Sequence, residues 1–218
     1  MLASAPGMPG RGRLITIEGL DGAGKTTVAR ALEAELTRRG VDVRVLREPG
    51  GVDAAERIRE LVKDPSAQIG ARAEALLYAA ARAQLVEEAL EPLLAAGTWV
   101  LLDRFVDSSL AYQGAGRGLG IGPIRDINEF ATGGLTPDRT LLLAIDPELG
   151  RARSRGRGEA VDRLELEHDE FFRRIAEAYA ELAAAEPERI RTIDASQSEG
   201  SVLDAAIAAV ADLGPANP

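Results

Sequence analysis

The sequence predicts an α/β fold of three layers, α/β/α, around an open five-stranded parallel sheet, and three observations carry that prediction. Short apolar runs alternate with helical patterns along the chain, the arrangement that right-handed crossovers close into a parallel sheet. The interior runs, Trp99-Val100-Leu101-Leu102 and residues 141–145, are apolar throughout, as strands covered on both faces require. A glycine-rich segment joins the first run to the first helical pattern.

Leu14-Ile15-Thr16-Ile17, ending in Glu18, is the first strand. After the glycine loop, residues 28–39 carry Val28, Leu32 and Leu36 at helical spacing, and Gly40 ends that helix. Residues 41–46 form the second strand, stopped by Pro49-Gly50-Gly51 before a helix at 54–62. Residues 71–96 are alanine-rich with a stripe of Leu76, Leu77, Leu85, Leu90 and Leu93, a long helix that Pro92 bends or divides. The third and fourth strands are 99–102 and 141–145, and residues 190–193 supply the fifth. Helical patterns at 123–130, 147–153, 165–185 and 201–213 fill the intervals. Residues 114–122 repeat glycine at alternate positions but follow no strand, so they are read as a flexible loop. His168 is read as a surface helix residue.

A chain of 218 residues with no interdomain linker and no internal repeat is expected to fold as one domain, over 13–214, with 215–218 as a tail. Residues 1–12 are small and Gly/Pro-rich and are expected to form a disordered arm rather than a secretory signal. No apolar run approaches the roughly 18 residues of a membrane span. The net charge of −9 argues against a nucleic-acid binder with a broad basic face. There is no cysteine and a single histidine, which excludes disulfides, thiolate metal sites and histidine clusters and suits the cytoplasm.

Gly19-Leu20-Asp21-Gly22-Ala23-Gly24-Lys25-Thr26 has the spacing G-x-x-x-x-G-K-T, followed by Thr27, between a strand and a helix. Glycines permit the dihedrals that turn successive N–H groups inward around phosphate oxygens, and the helix then begins at the bound anion. In such a P-loop Lys25 reaches the β and γ phosphates of a nucleoside triphosphate and the Thr26 hydroxyl coordinates Mg²⁺. The guanine-reading Asn-Lys-x-Asp of a regulatory GTPase is not in the sequence, which disfavours a switch protein.

Three further groups lie where strands of an open sheet end, the ligand side of such folds. Asp103-Arg104-Phe105 closes the third strand: Asp103 either holds Mg²⁺ through water or orients an acceptor, and Arg104 pairs with an acceptor phosphate. Ser108, Ser109, Tyr112 and Gln113 offer hydroxyl and amide groups for a base or sugar. Arg47-Glu48-Pro49-Gly50-Gly51 ends the second strand, and Arg151, Arg153, Arg155 and Arg157 crowd a segment just after the fourth. Four cations so close repel unless an anion comes between them, so 150–162 is expected to be a lid that closes over the triphosphate. Tyr78 and Arg82, four apart on one helix face, can stack on a base and bond its edge. Singly, each group has a plainer reading as a helix cap, a turn or an ordinary surface residue.

In this order the motifs resemble bacterial thymidylate kinases over nearly the whole chain, from Leu14 to about Leu213. The resemblance rests on the run from Glu18 to Thr27, Arg47 to Gly51, Tyr78-Ala79-Ala80-Ala81-Arg82, Asp103 to Ser109, Ala111-Tyr112-Gln113-Gly114 and Asp162-Arg163-Leu164-Glu165. It implies transfer of the γ-phosphoryl group of ATP to dTMP, with Mg²⁺, in a homodimer that needs neither nucleic acid nor membrane. Carried over by position, Tyr78 stacks on thymine where relatives have phenylalanine, Arg82 bonds its edge, Ser109 and Gln113 contact the base, and Tyr112 lies by the sugar and disfavours a 2′ hydroxyl. Arg59 and Arg104 hold the acceptor phosphate, and Glu48 lines the pocket near the sugar. Pro49 follows a cis peptide, and Asp21, Thr26 and Asp103 help place the metal or the acceptor. Position 22 is glycine where some relatives place an arginine, so the lid must supply the cation, with Arg153 and Arg157 the expected pair. A kinase for another nucleoside monophosphate and a noncatalytic nucleotide-binding regulator are the competing readings.

Overall fold

A computed structural model of the chain describes residues 10–156, 163–164 and 166–214. Strands β1 (Leu14–Glu18), β2 (Val43–Arg47), β3 (Trp99–Asp103), β4 (Arg139–Ala144) and β5 (Ile190–Asp194) form one parallel sheet in the order β2-β3-β1-β4-β5. The β1 strand is therefore central, and its carboxyl end lies beside that of β3, with Ile17 opposite Asp103.

The helices are α1 (Lys25–Arg38), α2 (Asp53–Lys63), α3 (Ala71–Leu85), α4 (Glu91–Ala95), α5 (Val106–Ser109), α6 (Ile121–Thr132), α7 (Pro147–Arg155), α8 (Asp169–Ala185) and α9 (Glu199–Val210). Alternation along the strands sends side chains to opposite layers. Ile15, Ile17, Leu101, Leu141 and Leu143 pack with Val28, Leu32 and Leu36 of α1 and Val202, Ala206 and Val210 of α9. On the other face Leu142 and Ile190 meet Phe171, Phe172, Ile175 and Tyr179 of α8, while Leu14, Val100 and Leu102 meet Leu85, Leu90 and Leu94. That is the three-layer α/β/α arrangement expected. Among the described residues no helix is long and apolar enough to cross a membrane.

Several boundaries differ from those expected. The helix expected over 71–96 runs as α3, a π turn at Val86–Leu90 and α4, with Pro92 in the first turn of α4. The wider turn lies just before Pro92, where an unbroken α ladder would need the N–H that proline lacks. The segment read as a flexible loop begins instead inside a second π turn, Leu110–Gly116, in which Gly114 and Gly116 are buried. A Cβ on Gly116 would stand 2.7 Å from the Phe171 ring, so glycine here permits close packing of α8 rather than flexibility. His168 is exposed, as read, but it stands just before α8, which starts at Asp169, and its side chain makes no capping bond. Gly12, assigned by composition to the N-terminal arm, is buried and donates its N–H to the Leu94 carbonyl at 2.8 Å.

Candidate active site

The carboxyl ends of β1, β2 and β3 open into a cavity of about 630 Å³. One end of it is lined by Gly22, Lys25 and Thr26, the other by Tyr78, Ser109 and Gln113. At the first end Gly22 and Gly24 adopt φ of 82° and 92°, left-handed values that a side chain resists, and α1 begins directly after them. Lys25 is buried and donates from Nζ to the Gly19 and Leu20 carbonyls at 3.2 and 3.0 Å, with Asp21 Oδ1 at 3.6 Å. Burial and the nearby Arg104 charge push its pKa below the ordinary lysine value, against the pull of Asp21 and Asp103.

Of the three oxygen ligands expected for a metal, the fold brings two together. The Thr26 hydroxyl donates to Asp103 Oδ2 at 3.4 Å. Asp21 is drawn away to Arg104, whose Nη2 donates to Asp21 Oδ1 at 2.6 Å. Burial alone would raise the Asp21 carboxyl, but Arg104 and Lys25 outweigh it and hold it well below the usual carboxylate range. No group of three or more His, Asp or Glu side chains able to cage a cation occurs among the described residues. A hydroxyl beside one carboxylate is nevertheless a donor set that suits Mg²⁺, which keeps several waters and takes the rest of its oxygens from phosphates.

Arg104 carries φ of 73°, the one non-glycine left-handed residue among those described. It also donates from Nη1 to the Gly19 carbonyl at 3.0 Å and stacks over the Tyr112 ring, 5.0 Å from its centre. Glu18, which sequence reasoning passed over, shapes this turn. Fully buried at the end of β1, its Oε1 accepts the Phe105 N–H at 2.8 Å and the Ser108 N–H at 3.3 Å, and Oε2 accepts Tyr179 OH at 2.8 Å. It thereby caps α5 from another strand. The signal was a carboxylate at the end of an otherwise apolar run.

At the other end of the cavity the Glu48–Pro49 peptide is cis, as the resemblance implies, and Arg59 Nη1 donates to the Pro49 carbonyl at 2.9 Å. Tyr78 is half-buried and lines the cavity. Arg82 is buried beneath it with all three guanidinium nitrogens hydrogen-bonded: Nε donates to Glu48 Oε2, Nη1 to Ser109 Oγ and to Asn128 Oδ1, and Nη2 to the Phe105 carbonyl, with Nη2 also in ion-pair contact with Glu48 Oε2 at 2.6 Å. Contact with a base edge therefore has to compete with these partners for the guanidinium. Glu48 is equally buried, and its Oε1 has no hydrogen-bond partner. Burial pushes its pKa up to about 7 against the pull of Arg82. Gln113 Nε2 donates to Glu74 Oε1 at 2.9 Å, and Glu74 and Asn128 are two further polar residues that only the fold connects to the pocket.

Of the arginines expected in a lid, the described ones, Arg151, Arg153 and Arg155, do not line the cavity. Arg153, on α7, donates to the Ala195 carbonyl at 2.8 Å, beyond the end of β5, and is not among the residues lining the cavity. Arg157 lies outside the described residues. The base of α7 does reach the loop: a Cβ on Gly22 would stand 2.0 Å from the Gly150 carbonyl oxygen. Glycine at position 22 thus has a steric reason in this fold.

A glycine loop at the centre of a 2-3-1-4-5 parallel sheet, with a second polar pocket opposite it, defines a P-loop nucleotide-binding protein with room for a second substrate. The family model described as thymidylate kinase matches residues 17–206. A thymidylate kinase of Halorhodospira halophila is 49% identical over 210 residues, 95% of this chain and 98% of the relative. One of Deinococcus radiodurans is 49% identical over 204 residues, 94% and 98% of the two chains, and one of Bacillus pumilus 46% identical over 203 residues, 92% and 96%. The chain belongs to the thymidylate kinase family.

Proposed function

We propose that this chain transfers the γ-phosphoryl group of ATP to the 5′ phosphate of dTMP, giving dTDP and ADP. The observation that carries this reading is the single cavity that joins Lys25 and Thr26 to Tyr78, Ser109 and Gln113 in a member of this family. An oxygen of the acceptor phosphate attacks the γ phosphorus as the bond to the β-phosphate oxygen breaks. Such a transfer needs in-line placement and neutralisation of spread negative charge more than covalent help.

Gly19, Leu20, Asp21, Gly22, Ala23, Gly24, Lys25, Thr26 and Thr27 hold the donor. Lys25 turns its ammonium from the Gly19 and Leu20 carbonyls to the phosphate oxygens, which compete for the same N–H groups. Thr26 and Asp103 would hold Mg²⁺, which supplies positive charge to the β and γ oxygens when bound. Asp21 acts through Arg104 rather than on the metal, as their 2.6 Å bond supports. Arg104 and Arg59 hold the acceptor phosphate, Tyr78 stacks on the base, Ser109 and Gln113 read its edge with Arg82 behind them, and Glu48, Pro49 and Tyr112 enclose the sugar. Arg153 and Arg157 are assigned to the transferring phosphoryl group, which requires Arg153 to leave the Ala195 carbonyl as α7 swings inward.

A homodimer is part of this reading, supported by Leu76 on α3 and Phe130 on α6, 56% and 92% exposed on two helices that pack together. Cytoplasmic placement rests on the absence of cysteine. The test is a panel of nucleoside monophosphates assayed for ATP-dependent diphosphate formation. dTMP should be the preferred acceptor and Lys25→Ala should abolish its turnover. Preference for another monophosphate would move the chain's substrate, and no turnover with any acceptor would favour a nucleotide-binding regulator.

A further inference from the structure

Glu74 has no exposed surface, yet it stands one helical turn before Tyr78, which is itself one turn before Arg82. The three share the face of α3 that backs the acceptor pocket. The Glu74 carboxylate collects donors from three directions. Oε1 accepts Gln113 Nε2 at 2.9 Å, and Oε2 accepts Arg117 Nη2 at 3.0 Å and Arg163 Nη2 at 2.6 Å. Arg117 Nε adds bonds of 3.2 Å to both oxygens. Burial would raise the Glu74 carboxyl, but the bonds from Arg117, Gln113 and Arg163 outweigh it and hold the pKa below the ordinary glutamate value.

An ionised carboxylate accepts hydrogen bonds and donates none, whereas a side-chain amide has one donating and one accepting end. Glu74 therefore dictates which end of Gln113 it meets. With Nε2 turned to Glu74, the end left for the cavity that Gln113 lines is the carbonyl oxygen. A carbonyl there accepts from a pyrimidine whose ring nitrogen carries hydrogen, as N3 of thymine does, and meets lone pair with lone pair at N3 of cytosine.

Building on the pocket assigned above, we propose that Glu74 is a positioning residue for base specificity. It fixes the Gln113 amide with its carbonyl toward the base and so selects a pyrimidine with a ring N–H over one with a ring acceptor.

The test compares kcat/KM for dTMP with that for 5-methyl-dCMP, which keeps the methyl group and sugar but presents an acceptor at N3. The wild type should favour dTMP strongly. In Glu74→Gln the new amide can donate to Gln113 Oε1, freeing Gln113 to turn. The dTMP to 5-methyl-dCMP ratio should then fall by about tenfold or more, with an absolute gain for 5-methyl-dCMP. A folded Glu74→Gln enzyme in which both rates fall together at an unchanged ratio would overturn the proposal, because that is what a purely structural residue gives. Glu74→Asp keeps the charge facing Arg117 and Arg163 but withdraws it from Gln113 by one methylene. It too should lower the ratio, and serves if Glu74→Gln does not fold; an unchanged ratio there overturns the proposal equally. Gln113→Leu separates this inference from the pocket assignment beneath it: an unchanged ratio in that variant removes the base contact itself, and the role of Glu74 with it.

Discussion

Arg104 Nη2 lies 2.6 Å from Asp21 Oδ1, so the residue that follows β3 is tied to the glycine loop that follows β1. Arg104 holds this position with φ of 73°, which costs a side-chain-bearing residue about 1 kcal/mol or more. The strain persists because Glu18 fixes the following turn through the Phe105 and Ser108 N–H groups.

Two substitutions separate the guanidinium from the backbone. Arg104→Ala and Arg104→Gly should each lower kcat/KM for dTMP by about 100-fold or more, since both remove the buried cation proposed to hold the acceptor phosphate. Arg104→Gly should be the more stable of the two by roughly 1 kcal/mol in denaturant unfolding, because glycine adopts this φ freely. Equal stabilities would mean that the turn relaxes without Arg104, and near-normal turnover would remove it from the acceptor site.

The contact between Gly22 and Gly150 leads to a second expectation. Alanine at 22 would place a Cβ 2.0 Å from the Gly150 carbonyl oxygen at φ of 82°, whereas alanine at 150 meets the Asp21 carbonyl at 2.9 Å from a helical backbone. Gly22→Ala should destabilise by about 1–3 kcal/mol and weaken ATP binding, measured by thermal unfolding and calorimetric titration. Gly150→Ala should be milder in stability, since alanine also favours the helix by up to about 1 kcal/mol. If Gly22→Ala binds ATP normally, the loop does not depend on the base of α7.

Glu48 should leave a signature in the pH dependence of stability. Its pKa rises from an ordinary 4.5 to about 7 in the folded chain, so the folded protein binds a proton there that the unfolded chain releases. The contribution of the neutral form is complete below 4.5 and is lost as pH climbs to about 7. Glu48→Gln is neutral at every pH. Its melting temperature minus that of the wild type should therefore increase between pH 4.5 and about 7 and level off above. A difference that is flat with pH would show that Arg82 keeps Glu48 ionised.

For the proposed assembly, wild type should sediment as a dimer and Phe130→Glu as a monomer in sedimentation equilibrium. A large apolar side chain 92% exposed on α6 is the kind of group whose truncation weakens an interface by about tenfold or more. An unchanged mass would place the dimer contact elsewhere or remove it.

The parts of the site that were legible in the sequence are those whose chemistry is local. A glycine loop between a strand and a helix carries its meaning in consecutive residues, and so does Asp103-Arg104 at the end of an apolar run. The expected lid rested only on a crowd of arginines in the sequence. Its register was not legible, because which carbonyl Arg153 meets depends on how α7 leaves β4 and passes the end of β5. The first π turn was missed because one widened turn leaves the helical pattern on either side of it intact, and the second because Gly114 and Gly116 read as a loop.

By itself, then, the sequence determined the alternating strands and helices, the phosphate loop and the inventory of polar side chains around a second pocket. These follow from backbone preferences and hydrophobic period, which act over a few residues. Only the tertiary structure decided how those side chains are spent. It paired Asp21, expected to help place a metal, with Arg104, set Arg82 beneath the pocket with all three of its nitrogens hydrogen-bonded, and placed Glu74 behind Gln113 across 39 residues of chain. The physical reason is that a buried charge must find partners wherever packing brings them. Hydrogen bonds in a dry interior therefore join residues whose distance in sequence carries no signal.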